Sequence, residues 1–284
     1  MHDAALAKLH AALDEIDKIR PDAWYRNLSP RQRAEMEFHN RDRAPTAQAE
    51  ARAQDTYEKF YGNKKYYSAT RRSVDYGDSW IDEHSPGKVV LDYACGNGKM
   101  ALRAAKAGAK LAIGIDISDV SIANCQRSAA ELGLSNVRFV QANAEATMLP
   151  DESIDTVLCF GMLHHLDLSY AFPELRRIMK EGGRLFAAEA LDYNLAIKLY
   201  RMLTPDMRTE WEKAHILSHK DLRFARRFFD IGEIRYWHPT AYIGGKIRPL
   251  LPVLDLADRV LERIPLVQLW SWIWTFELIR PKKL

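Results

Sequence analysis

The chain has 284 residues, 47% of them apolar and 28% charged, with a net charge of +3. That length and balance fit one large α/β domain with additions, or two small domains, and exclude a chain disordered throughout. The small net charge gives no electrostatic footprint of a nucleic-acid binder.

No uninterrupted apolar run approaches the roughly 20 residues needed to span a bilayer. Asp3 falls within Met1 to Leu9 and no apolar segment follows, so no signal peptide is expected. Cys95, Cys125 and Cys159 lie far apart without metal or disulfide spacing, which suits reduced thiols in a cytoplasmic protein.

Leu6, Leu9, Leu13, Ile16 and Ile19 recur at helical spacing, and Pro21 ends that helix. Its apolar stripe is also a candidate contact for a homo-oligomer. Residues 22–80 are polar and basic, yet they carry Trp24, Tyr25, Phe38, Tyr57, Phe60, Tyr61, Tyr66 and Tyr67. Residues 1–80 are therefore expected to be a helical N-terminal extension or lid, set before a core at 81–284.

From Lys88 strand and helix patterns alternate. Val89–Asp92, Leu111–Asp116, Val137–Gln141, Ile154–Phe160 and Arg184–Ala190 read as strands. Helices are expected from Lys99, over Val120–Leu132 and over Tyr170–Met179, with a turn at Gly182-Gly183. Such alternation predicts βαβ units and a parallel sheet.

Residues 191–228 break this rhythm and read as an inserted lid. Ile231–His238 follows as a strand. Ile247–Ile264 reads as an amphipathic helix interrupted by Pro249 and Pro252. Finally Trp270, Trp272, Trp274, Phe276 and Leu278 alternate with Ser271, Ile273, Thr275, Glu277 and Ile279, a period of two that predicts a strand, with an interfacial helix as the alternative.

The segment Val89-Val90-Leu91-Asp92-Tyr93-Ala94-Cys95-Gly96-Asn97-Gly98-Lys99 runs from strand through a glycine turn into a helix. That arrangement brings backbone N–H groups up to a ligand. Gly96 to Ala101 also satisfies GxGxxA, so a nicotinamide dinucleotide has to be weighed. Asp92 stands four residues before Gly96. A carboxylate there repels a pyrophosphate and attracts an α-ammonium group, which S-adenosylmethionine carries. The alternative for Asp92 is a turn-capping carboxylate.

Asp116, with Ile117 after it, ends the second strand where an acid accepts from ribose hydroxyls. Asn143-Ala144-Glu145 follows the third strand, where a side-chain carbonyl can accept from an adenine amino group. Phe160-Gly161-Met162-Leu163-His164-His165 closes the fourth strand, at the edge where open α/β sheets hold ligands.

Taken in order, these segments resemble the class I methyltransferase superfamily, particularly the small-molecule branch with the ubiquinone and menaquinone biosynthetic enzymes. The resemblance covers Lys88 to Ala190. It rests on Leu91-Asp92-x-x-Cys95-Gly96-x-Gly98, Gly114-Ile115-Asp116, Asn143-Ala144-Glu145 with Leu149-Pro150, Ile154-Asp155-x-Val157, Leu163-His164-His165-Leu166 and Gly182-Gly183-Arg184-Leu185. Two positions depart from the family: Ala94 stands where glycine is usual, and Asn143 where aspartate is usual.

The resemblance implies a Rossmann-like, seven-stranded, mostly parallel sheet with the last strand antiparallel and helices on both faces. It implies S-adenosyl-L-methionine as cofactor and S-adenosyl-L-homocysteine as product. The cofactor contacts would be Asp92, Ala94, Gly96, Gly98, Asp116, Ile117, Asn143, Ala144, Glu145, Phe160 and Tyr67.

The expected reaction is in-line methyl transfer to oxygen or carbon of a small molecule. His164, then His165, are the candidate bases or acceptor hydrogen-bonders. Glu189, Tyr193, Arg208 and His215 are candidate acceptor contacts, and no metal is expected. A nucleic-acid methyltransferase, a dehydrogenase and a non-catalytic cofactor-binding protein are the competing readings. The acceptor itself is not legible in the residues.

Overall fold

The computed structural model describes residues 2–44, 68–204, 208–245 and 247–280. Seven strands form one sheet: β1 (Val89–Tyr93), β2 (Leu111–Asp116), β3 (Val137–Gln141), β4 (Ile154–Phe160), β5 (Met179–Ala190), β6 (Asp230–Trp237) and β7 (Ile273–Ile279). Their order is β3-β2-β1-β4-β5-β7-β6. Strands β1 to β5 pair in parallel, and β7 runs antiparallel to both β5 and β6. The expected fold class is the one observed.

β1 and β2 are buried along their whole lengths, as continuous apolar runs in a sheet covered on both faces should be. Successive side chains point to opposite faces. Leu91 and Tyr93 thus join a core with α1 (His2–Asp17) and the later helix Leu168–Ile178, while Val90 packs with Trp80, Ala104 and Ile122 on the other face.

The N-terminal extension belongs to this core. Leu9, Leu13 and Ile16 of α1 are buried, and Asp14 and Asp17 hold Arg138 of β3 at 2.7 and 2.6 Å. The apolar stripe that suggested self-association is therefore taken up within the chain itself.

α2 (Pro21–Asn27) and α3 (Pro30–Arg43) each start with proline, and Ser29 with Gln32 forms a capping box at the start of α3. The boundary expected at residue 80 falls inside α4 (Arg71–His84), whose Trp80 and Ile81 are core residues. Tyr57, Phe60, Tyr61, Tyr66 and the expected cofactor contact Tyr67 lie outside the described residues.

The central helices are α5 (Lys99–Lys106), α6 (Asp119–Glu131) and α7 (Leu168–Ile178). β5 begins at Met179 and runs through Gly182-Gly183, where a turn was expected. A Cβ on Gly183 would come within 2.9 Å of the Lys180 carbonyl, so glycine allows the backbone to close up there.

The insertion holds α8 (Leu195–Leu203), α9 (Glu210–Ala214) and α10 (His219–Ala225). α11 (Leu251–Leu261) is shorter than the expected helix, because Pro249 belongs to a preceding 3-10 turn, Arg248–Leu250, and Pro252 to its first turn. In β7, Trp274, Phe276 and Leu278 face one core, while Thr275 and Glu277 accept hydrogen bonds from the indoles of Trp237 and Trp80 at 3.0 and 2.7 Å. Among the described residues no helix is long and apolar enough to cross a membrane.

Candidate active site

The carboxyl ends of β1 to β5 carry two cavities that meet at Phe160, Gly161 and His165. The smaller, about 160 Å3, lies over the loop after β1. Ala94, Gly96 and Gly98 all adopt positive φ there, at 57°, 54° and 72°. Glycine tolerates this freely, whereas Ala94 holds a Cβ in a left-handed conformation that costs roughly 1–2 kcal/mol.

Of the expected cofactor contacts, Ala94, Gly96, Asp116, Ile117, Asn143, Ala144, Glu145 and Phe160 line this one cleft. Asp92 and Gly98 stand behind it. Gly98 is required by packing, since a Cβ would come within 2.7 Å of the Phe139 ring and 2.8 Å of Cys125 Sγ.

Asp92 is turned away from the cleft. It is buried and accepts the amide of Ala101 at 2.9 Å, because the open N–H groups at the start of α5 claim the carboxylate. Burial pushes its pKa up to about 7, with the Ala101 amide opposing and the charge of Asp116 adding to the rise. The structure thus places Asp92 in the capping role rather than facing a ligand's ammonium group.

Asp116 accepts from the amides of Gly96 and Ser118 at 2.8 and 2.9 Å. Arg43 of α3 lies 3.4 Å from its carboxylate and also donates to Ser121 Oγ at 2.7 Å. Glu145 accepts from Arg31, from Gln32 Nε2 at 2.8 Å and from the Asp167 amide at 2.8 Å. Asn143 uses Oδ1 to accept the Glu145 amide at 2.9 Å. α3 is therefore strapped across the cleft by its own arginines and glutamine. The space left there is below the roughly 300–1,000 Å3 typical of small-molecule sites, and it adjoins the larger cavity at Phe160, Gly161 and His165.

The donor set otherwise fits an adenosyl group. An acid stands at the end of β2, a glycine allows close approach, and the apolar Ile117, Phe160 and Met162 flank the cleft.

The larger cavity, about 870 Å3, lies between the ends of β4 and β5, α4, the insertion and the segment before α11. Val74, Ile197, Leu199, Leu203, Ile243, Ile247 and Trp272 make an apolar wall, and His164, His165, Glu212, Arg201 and Arg208 make a polar end.

His164 Nδ1 lies 2.8 Å from Glu189 Oε2, and Glu189 Oε1 accepts the amides of Met162 and Leu163, both at 2.8 Å. A carboxylate fixed this way acts as an acceptor, which assigns the hydrogen to His164 Nδ1 and leaves Nε2 as the ring's lone pair. Nε2 lies 3.8 Å from Glu212 Oε1, too far for a hydrogen bond.

His165 is clamped instead, with Nδ1 3.0 Å from Glu35 and Nε2 3.0 Å from Glu212. Burial works to raise the Glu35 pKa, but hydrogen bonds from His165, His39 and Thr209 outweigh it and hold the carboxyl well below the usual range. Glu35, His39 and His165, and also His164, His165 and Glu212, each bring three ligand-type atoms within 4.8 Å. In each set the carboxylate is paired with His165, Glu35 at Nδ1 and Glu212 at Nε2.

Among the expected acceptor contacts, Arg208 lines the cavity, its guanidinium donating to the Thr204 carbonyl at 2.7 Å. Glu189 lines it too, but with its carboxylate engaged by His164 and two amides. Tyr193 is not brought to the cavity: its hydroxyl accepts the His219 amide at 3.3 Å, and the two rings pack at 5.4 Å. His215 is exposed and stacked on Trp211 at 3.8 Å, so it too stands outside. Sequence reasoning missed Arg31, Glu35 and Arg43 of α3 and Glu212 of α9. The only signal for them was the density of charge in these stretches.

The strand order β3-β2-β1-β4-β5-β7-β6, with motif loops at the strand ends, is the arrangement expected of a class I methyltransferase domain. Residues 90–183 match the model of a methyltransferase domain family. A ubiquinone biosynthesis O-methyltransferase of Pseudomonas fluorescens (strain SBW25) is 38% identical over 112 residues, 38% of this chain and 47% of its own. A ubiquinone/menaquinone biosynthesis C-methyltransferase of Marinomonas sp. (strain MWYL1) is 36% identical over 107 residues, 36% of this chain and 43% of its own. The chain spans about half the length of these curated relatives.

Among solved structures, geranyl diphosphate C-methyltransferase from Streptomyces coelicolor A3(2) aligns with a TM-score of 0.62 over 89% of this chain and 98% of that one. At 17% identity that is a likeness of fold.

Proposed function

We propose that the chain is an S-adenosylmethionine-dependent methyltransferase acting in the cytoplasm on oxygen or carbon of a small, largely apolar acceptor. The observation that carries this reading is the position of His164. It is backed by buried Glu189 and faces the larger cavity next to the wall shared with the cleft.

When bound, the cofactor supplies a methyl group already activated for displacement. The chain's residues then have to align the acceptor, and alignment is worth up to roughly 7–11 kcal/mol in favourable cases. His164 Nε2 takes the proton where the acceptor is a hydroxyl, and Glu189 steadies the ring as its charge rises. The apolar wall formed by Ile197, Leu199 and Ile243 holds the body of the acceptor and keeps water from the reacting centre. The similar proteins, named for ubiquinone biosynthesis and for geranyl diphosphate, support an apolar acceptor.

Calorimetry with S-adenosylmethionine, S-adenosylhomocysteine and NAD tests the cofactor. Both sulfur ligands should bind and NAD should not; tight NAD binding with no response to the others overturns the reading. Transfer of labelled methyl to an extracted acceptor pool then tests the activity.

A further inference from the structure

Two helices of this chain are amphipathic with the apolar side outward. In α11 the one fully buried side chain belongs to Asp258, which accepts from the Thr240 amide at 2.9 Å, the Thr240 hydroxyl at 2.6 Å and the Ala241 amide at 2.9 Å. Asp255 and Glu262 also face inward, toward Arg72. On the opposite side Val253, Leu256 and Val260 are 66%, 67% and 60% exposed. α8 repeats the pattern, with Leu195, Leu199, Met202 and Leu203 between 57% and 76% exposed. Large exposed apolar patches on a soluble domain mark interaction sites.

The charge on this face points to its occupant. Between residues 247 and 270 the acids are Asp255, Asp258 and Glu262, all turned inward, while Arg248, Arg259 and Arg263 are exposed. An apolar stripe flanked only by cations is the pattern of a helix lying in a membrane interface, and arginines near such a surface are drawn to anionic headgroups. A second copy docked through the same patch would bring these arginines against their own counterparts.

The face is also continuous with the larger cavity, since Leu199, Leu203, Ile243 and Ile247 both line that cavity and are exposed. A protein partner seated here would stopper the cavity, whereas a lipid surface leaves it opening into an apolar phase.

We propose that α8, α11 and the short turn Ala241–Gly245 form a docking face for an anionic lipid bilayer. The docking requires no methyl transfer, so it can be tested apart from activity. The full chain is floated with vesicles of phosphatidylglycerol mixed with phosphatidylcholine, and with phosphatidylcholine alone. It should bind the anionic vesicles, and Leu256→Glu should weaken that binding by about tenfold or more through lost apolar burial. Arg259→Glu and Arg263→Glu should each weaken it by about fivefold or more, and high salt should act in the same direction. These side chains are exposed, so the variants should keep the parent melting temperature.

Three results overturn the proposal. One is no binding to either vesicle. The second is binding that these substitutions leave unchanged. The third is loss of a dimer, or of thermal stability, in Leu256→Glu without any vesicle binding, which would assign the face to a second copy or to residues 45–67 of the chain.

Discussion

The cleft over β1 and β2 and the cavity beside β5 are neighbours built by opposite means. The cleft is narrow and the more polar of the two, made from the loops after β1 to β4 and closed by α3 through Arg43–Asp116 and Arg31–Glu145. The cavity is about five times larger and mainly apolar, and it is assembled from α4, the β4 and β5 ends, α8 and the segment before α11. The first is specified by short-range motifs and backbone amides, the second by contacts between distant parts of the chain. On the proposed function, one scaffold can thus hold a fixed donor on one side and change its acceptor on the other.

The largest expected break in this comparison is at their shared wall. His164→Ala should lower turnover by roughly 10²–10⁴-fold for an acceptor that must lose a proton, with cofactor affinity nearly unchanged. Steady-state kinetics and calorimetry on the same preparation check it. Equal losses in both would show that the two regions do not work separately.

A smaller effect belongs to the wall behind the cleft. Asp92 has a folded-state pKa of about 7, above its usual value of 3.8. Its contribution is fully favourable below about pH 3.8 and is lost as pH rises toward 7, because the buried group must then ionise. Asp92→Asn should therefore stabilise the ligand-free protein at pH 8, by about 1–3 kcal/mol after allowing for a weaker helix cap. The gain should be smaller at pH 5. Urea unfolding at the two pH values measures it, and a loss of stability at pH 8 would mean that the cap outweighs the buried charge.

The finest test is Ala94→Gly. It should relieve the left-handed strain, offset in part by the entropy of glycine in the unfolded chain, for a net gain of about 0.5–1 kcal/mol. Thermal melts resolve a change of that size.

The sheet from β1 to β5 was legible because each strand–helix step is local. β7 was legible for a subtler reason: both faces are buried, but Thr275 and Glu277 keep the polar half of the alternation by accepting from Trp237 and Trp80. The cleft residues on the strand-end loops followed from the family resemblance that the motif segments carry. The direction of Asp92 did not, since a carboxylate at a strand end has both a ligand and a helix N-terminus within reach, and only packing decides.

Glu35 was beyond local reasoning. It meets His165 across 130 positions, and in the sequence it sits in a polar stretch where nothing singles it out from the neighbouring charges. Tyr193 and His215 failed to reach the cavity for the converse reason, as residue type does not say which side of an inserted helix or turn faces inward.

The order of the sheet also bears on how this protein is made. β7 lies between β5 and β6, and β6 has β7 as its sheet neighbour. On the ribosome, residues 230–237 therefore emerge with no strand to pair with and wait for residues 273–279. At typical synthesis rates of about 5–20 residues per second the wait lasts seconds, with strand edges open to the wrong partner. Premature termination just before β7 would remove one strand from the chain but two from the sheet, and would leave Trp80 and Trp237 without the groups their indoles bond.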